Sequence, residues 1–275
     1  MIPTDVSATP RTGRLRIDIA PGFLATIDGT RVDDDLWGRR QKPRMVLAYL
    51  VAAGGRVDRH ELVHSLWPDQ MTEMDTARAF AVILSVARRA IDAGSKQLDG
   101  GEGRSLLLHA NELELVLGPD DSTDVQGLAA LVDRLSSPVE LSGSELQDGA
   151  RALLPMMVRT PLSEFGRCVL AETLVEGLHR DVAVAGRLLI ERWQELPGGA
   201  EAPAEVLAVA EMACASDCTD ESMAAAAIQL HARARGKAAA SRIYHQYYMA
   251  VRSELGAAPS SRLVDLHADI MVASR

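Results

Sequence analysis

Cysteine is scarce in this chain of 275 residues: Cys168, Cys214 and Cys218 are all it has. So odd and sparse a set gives no disulfide framework and suits a reducing cytoplasm. Cys214 and Cys218 are spaced i,i+4 and would share a helix face. No neighbouring histidine completes a metal site, so both are expected to be buried structural thiols. Long hydrophobic runs are missing too. None approaches the roughly 18–20 apolar residues of a membrane span, and no apolar stretch precedes Leu15, so a signal peptide is not expected. Positive charge is also in short supply. The net charge is −9; residues 1–125 hold 15 Lys and Arg against 19 Asp and Glu, and the rest 14 against 19. Any nucleic-acid-binding half must therefore concentrate its arginines on one face or bind weakly, because phosphate neutralisation supplies most non-specific affinity. There is no phosphate-cradling glycine loop, no Ser or Cys nucleophile signature and no receiver-type acidic pocket. No catalytic residue, cofactor or metal is expected.

The chain is 47% hydrophobic and 24% charged, a globular composition long enough for two domains. Residues 1–13 read as a polar, flexible lead-in. From Arg14 the pattern alternates, with Leu15, Ile17 and Ile19 on one side. FLATI (23–27) and residues 30–32 follow, separated by Asp28-Gly29, a hairpin signal. Helical period takes over at Lys42, where Met45, Val46, Tyr49 and Leu50 form a stripe that Gly54-Gly55 stops. Asp58 is the expected N-cap of a helix over 59–66, which Trp67 and Pro68 end. A third helix spans 75–91, DTARAFAVILSVARRAI, with Phe80, Leu84, Ala87 and Ile91 as its core stripe. Residues 106–109 and 113–117 read as a β-hairpin region beside Gly100-Gly101-Glu102-Gly103. After Thr123-Asp124-Val125 the chain reads as almost wholly helical. Segments at 164–196, 204–215, 221–234, 237–255 and 260–273 are joined by short turns, as in helical solenoids. His231 and His245 flank Gly236 and read as solvated or capping histidines.

Two stretches resemble known families. RRQKPRMVLAYLVAAGGRVDRHELVHSLWPD (39–69), ARAFAVILSVARRAI (77–91) and TDVQGLAALV (123–132) resemble the winged-helix domain of antibiotic-regulatory-protein (SARP-type) activators. PLSE (161–164) and CTDESMAAAAIQLHARARGKAAASRIYHQYYMAVRSELGAAPSSRL (218–263) resemble the bacterial transcriptional activator domain, a tetratricopeptide-like module. In that module Gly236, Ala239, Ala240 and Tyr244 stand where small residues and an aromatic are wanted. The resemblance implies a mainly α protein with a small β component. A winged helix over 14–122 would precede a helical domain over 123–275. It also implies a cytoplasmic transcriptional regulator that binds promoter DNA and pairs with itself, RNA polymerase or another protein. The 75–91 helix would enter the major groove, and the hairpin would touch the minor groove or backbone.

The reading helix departs from that family at its centre. Ala81, Ile83 and Val86 stand where Gln, His or Tyr, and Arg are usual. On a helical projection Arg78, Val82, Ser85 and Arg89 oppose the core stripe, with Ala81 and Arg88 beside them. Expected base contacts are therefore Arg78, Ser85, Arg88 and Arg89, with Arg39, Arg40, Lys42 and Arg44 on phosphates. The plainer reading of Arg88 and Arg89 is a solvated helix end stabilised by the dipole. Ala81, Val82 and Val86 form an expected apolar face. It would meet thymine methyls, or a protein partner if this is an adaptor that no longer binds DNA. Glu112 and Glu114 on the hairpin would oppose phosphate.

His60-Glu61-Leu62-Val63-His64 matches the H-E-x-x-H pattern of zinc peptidases. A third ligand is needed. The extended motif's glycine and histidine are replaced by Trp67 and Gln70, so a metallopeptidase is a remote alternative. Leu62, Val63, Leu66 and Trp67 fit a helix of the winged fold equally well.

Overall fold

Alternation sets up the first sheet. Leu15, Ile17 and Ile19 are buried while Arg16 is exposed, so the strand has one dry and one wet face. The computed structural model describes residues 13–37, 40–67, 73–92, 104–166, 168–197 and 201–273. In it this strand is β1 (Leu15–Asp18). It pairs antiparallel with β2 (Leu24–Ile27), which pairs antiparallel with β3 (Thr30–Arg31). Asp28 and Gly29 both take positive φ between the last two strands, as a type I′ turn requires.

Helix α1 (Gln41–Ala52) is buried throughout residues 45–51, so it is a core helix rather than an amphipathic one. Gly54 and Gly55 end it at φ 71° and 104°. The Gly55 N–H donates back to the Leu50 carbonyl at 2.7 Å, which closes the last turn. A three-residue strand follows, β4 (Arg56–Asp58), too short to announce itself by alternation. Asp58 then caps α2 (Arg59–Leu66), accepting from the N–H groups of His60 and Glu61 at 2.8 and 2.9 Å. Helix α3 (Glu73–Asp92) comes next. It is followed by the hairpin β5 (Ser105–Leu108) and β6 (Glu112–Val116), and then by β7 (Ser122–Thr123). Strand β4 joins the hairpin in a sheet of order β4-β6-β5, and β7 lies parallel to β1 in a sheet of order β3-β2-β1-β7.

Arg104 and Asp121 tie these pieces together. The Arg104 guanidinium donates to both Asp121 carboxylate oxygens, at 3.0 and 2.8 Å. It also donates to the carbonyls of Ile91, at 3.0 Å, and Gly13. Asp121 in turn accepts from Leu15 N–H at 2.7 Å and Gly118 N–H at 2.9 Å. One buried ion pair thus joins the end of α3, the start of β1 and the segment after the hairpin. Asp124 repeats the device, accepting from the N–H groups of Ile19 and Ala20 at 2.8 and 2.9 Å. Burial raises the Asp124 carboxyl above its ordinary range against the pull of these bonds.

The chain gathers into two compact units: Met1–Gln126 with Thr160–Glu176, and Gly127–Arg159 with Gly177–Arg275. A division of the chain at one point does not anticipate the return of Thr160–Glu176 to the first unit. Its reason is aromatic. Phe165 packs edge-on against Phe23 and Tyr49, with ring centroids 6.2 and 6.5 Å apart. The Glu164 carboxylate accepts the Phe23 N–H at 2.6 Å, and its carbonyl accepts from Gln41 at 2.8 Å.

Helix α4 (Asp124–Ser136) opens with a reciprocal cap between Thr123 and Gln126. Five further helices follow: α5 (Gly143–Val158), α6 (Val169–Glu195), α7 (Ala204–Ser216), α8 (Glu221–Arg235) and α9 (Lys237–Glu254). Helix α10 (Ser261–Val272) comes last. The helix expected from residue 164 starts at Val169, because a 3-10 turn at Ser163–Phe165 and Gly166 at φ 82° come first. Gly236 alone connects α8 to α9, at φ 81°, where a side chain would strain. Ala227 and Ala240 are fully buried in these two helices, and Tyr244 is buried beside them.

Two expectations are corrected here. Helix α7 ends at Ser216, so Cys218 lies beyond it and does not share a helix face with Cys214. Both thiols are buried and free, and the Cys218 thiol donates to Glu254 at 3.2 Å. His231 is fully buried rather than solvated, with Nε2 3.3 Å from the Leu207 carbonyl. Among the described residues no helix is long and apolar enough to cross a membrane. The lead-in 1–12, Arg39, Pro68, Gln70 and the Gly100-Gly101-Glu102-Gly103 turn lie outside the described residues.

Candidate nucleic-acid interface

The period of α3 sorts its side chains into two faces. Phe80, Leu84, Ala87 and Ile91 are buried, as the stripe predicts, and Ile83, Val86 and Ala90 join them. Arg78, Ala81, Val82, Ser85, Arg88 and Arg89 are exposed, and so is Ala77. The dry face is therefore broader than a four-residue stripe.

That breadth corrects one site residue. Val86 was expected on the apolar outer face with Ala81 and Val82, but it is only 5% exposed, whereas Val82 is 48% exposed. Residue 86 lies three positions past Ile83 and four before Ala90, both buried, so it shares their dry face. The outer apolar surface of α3 is Ala77, Ala81 and Val82.

The candidate arginines have different fates. Arg88 donates from Nε to the Leu106 carbonyl at 2.9 Å, so it fastens α3 to β5. Arg78 and Arg89 have no ion-pair or hydrogen-bond partner among the described residues, and neither has Ser85. Two of the expected phosphate contacts are held within the fold. The Arg44 guanidinium pairs with Asp34 and lies 5.7 Å from the Trp37 ring. The Lys42 ammonium stands 4.3 Å over the Trp67 ring. Partial burial holds its pKa below the ordinary lysine value. Arg40, just before α1, is exposed and without an ion pair among the described residues.

The hairpin stands next to α3 in the fold, through the Arg88 bond. Its turn closes where the His109 N–H donates to the Glu112 carbonyl at 2.8 Å, and the Arg59 N–H donates to the Asn111 carbonyl at 2.8 Å. Glu114, expected to oppose phosphate, is neutralised locally. It accepts from Arg56 at 2.6 Å and lies 3.0 Å from His109. Those two partners, Arg56 first, hold its carboxyl below the usual range. Leu107 and Leu108 on β5 are 41% and 42% exposed. Sequence reasoning missed the β4 edge that seats this hairpin and the Arg104–Asp121 pair behind it. The adjacent pair Asp120-Asp121, close before TDV, was the available signal.

His60, Glu61 and His64 all face solvent on α2. Among the described residues no three His, Cys, Asp or Glu side chains stand close enough to hold a metal ion.

The fold has a solved counterpart. It is similar to the structure of Mycobacterium tuberculosis EmbR in complex with a low-affinity phosphopeptide, at TM-score 0.64 and 18% identity. The likeness covers 94% of this chain and 65% of that chain, so this chain spans just under two thirds of its counterpart's length. No family model and no curated protein matches the chain.

Proposed function

We propose that the first unit is a winged helix that reads promoter DNA through α3, and that the chain is a SARP-type transcriptional regulator. One observation carries this reading. Arg78, Ser85 and Arg89 are exposed, and unpaired among the described residues, on one face of a helix whose other face and C-terminal end are fixed by the core and by Arg104. A preorganised helix with free bidentate donors is what major-groove readout needs. The hairpin of β5 and β6 would then be the wing. The helical unit would be the tetratricopeptide-like module, offering surface for a second copy, RNA polymerase or another protein. The fold likeness to EmbR and the sequence resemblance to the activator family support the same assignment.

A second reading is an adaptor that has exchanged DNA for a protein. The exposed Val82, Leu107 and Leu108 favour it, as does the internal pairing of Arg44 and Glu114. A mobility-shift assay of the full chain on fragmented genomic DNA in low salt separates the two. Salt-sensitive shifts support the regulator; none at any concentration tested supports the adaptor.

A further inference from the structure

The outer face of α3 carries a restricted set of chemistries. Its donors are the guanidinium groups of Arg78 and Arg89, its apolar groups are the methyls of Ala77, Ala81 and Val82, and Ser85 supplies one hydroxyl. No Asn or Gln stands on α3, and no carboxylate stands between Arg78 and Arg89. The major-groove code assigns these groups unequally. Arginine pairs with the O6 and N7 acceptors of guanine, and an apolar side chain meets the C5-methyl of thymine. Bidentate readout of adenine uses an amide, which α3 lacks, and readout of cytosine uses a carboxylate, which is missing between Arg78 and Arg89; Asp75 is exposed one turn before Arg78, outside that span, and the Ser85 hydroxyl discriminates neither base.

Spacing adds a length. Arg78 and Arg89 are eleven positions apart, about 16 Å along a helix rising 1.5 Å per residue. DNA rises about 3.4 Å per base pair, so the two guanidinium groups bracket roughly five base-pair steps. Ala81 and Val82 lie nearer Arg78, with Ser85 between them and Arg89.

Resting on the reading of α3 as a DNA helix, we infer that its target is a strand with guanines at its two ends and thymine between them. Val82 is the residue that selects the thymine, through its methyl groups. Arg88 takes no part, because its guanidinium holds Leu106. The apolar centre of the helix is thus a specificity device and not a lost one.

The test uses the full-length protein and a randomised duplex library, followed by replacement of the selected central thymine with uracil, which removes only the C5-methyl. The inference expects guanine at both ends, thymine between them, and a severalfold to tenfold loss of affinity on uracil substitution. In Val82→Ala, exposed enough to leave the fold intact, the uracil penalty should largely vanish. Selection of a site without central thymine, or a uracil penalty that Val82→Ala leaves unchanged, overturns the inference while leaving DNA binding in place. Failure to select any sequence overturns both it and the DNA reading.

Discussion

Arg104 and Asp121 form a bidentate ion pair whose side chains are 4% and 3% exposed. Every backbone group they also bind belongs to a different segment: Gly13 and Leu15, Ile91, and Gly118. A buried pair of this kind stabilises little in itself, but losing one partner leaves a buried charge alone. Asp121→Ala is expected to destabilise the first unit by about 3–5 kcal/mol. Urea unfolding in a Trp193→Phe background, where Trp37 and Trp67 report the first unit, measures it. A loss below about 1 kcal/mol would show that the pair does not hold α3 in place.

Val82 and Val86 are one helical turn apart but should respond unequally to the same change. Val86→Ala removes buried methyls and should cost about 1–2 kcal/mol, given that burying a whole valine contributes about 1.5–3. Val82→Ala should stay within about 0.5 kcal/mol. Thermal melts of the two variants compare them directly; equal shifts would contradict the division of α3 into these faces.

Few of the described candidate DNA contacts are free to reach a phosphate. Arg44 pairs with Asp34, Lys42 is held against Trp67 and Arg88 against the Leu106 carbonyl, which leaves Arg40, Arg78 and Arg89 among the described residues. Affinity should therefore fall with salt with a logarithmic slope of about −3 or shallower, at roughly −0.9 per neutralised phosphate. Fluorescence anisotropy across a salt series gives the slope. A value near −6 would mean that another basic surface touches the DNA.

His231 makes the second unit sensitive to acid. Burial lowers its pKa, outweighing the Leu207 carbonyl and Glu211, which favour its charged form; Arg235 and Arg242 disfavour it further. His267, stacked on Tyr244 at 4.1 Å, is lowered in the same direction by burial and by His245. A base with a depressed folded pKa leaves the unfolded chain holding more protons, so its contribution to stability is lost as pH falls below the ordinary histidine value of about 6.5. Unfolding free energy of the second unit should decline from pH 7 to 5, and less steeply in His231→Gln. Parallel profiles for the two proteins would remove His231 from the account.

Local signals carried most of the elements. Asp28-Gly29, Gly54-Gly55, Asp58 and Gly236 mark turns and caps by their own chemistry, so those boundaries were legible. The core stripe of α3 was legible from its spacing, but its width was not. Whether Ile83 and Val86 are dry depends on how far the surrounding core reaches around the helix. Lys42 and Arg44 looked free because the rings that hold them, Trp67 and Trp37, are distant in sequence or set by tertiary packing. The return of Phe165 to Phe23 and Tyr49, and the meeting of Arg104 with Asp121, are long-range contacts that no local pattern encodes.

DNA binding by the outer face of α3 is open to a direct test. Its most direct measurement is the affinity of the full-length protein and of Arg78→Ala/Arg89→Ala for the same genomic duplexes at low salt. Salt-sensitive binding by the unaltered protein and at least a tenfold loss in the double variant are expected, both folded alike by circular dichroism. Equal affinity of the two proteins, or no binding by either, would contradict binding through that face.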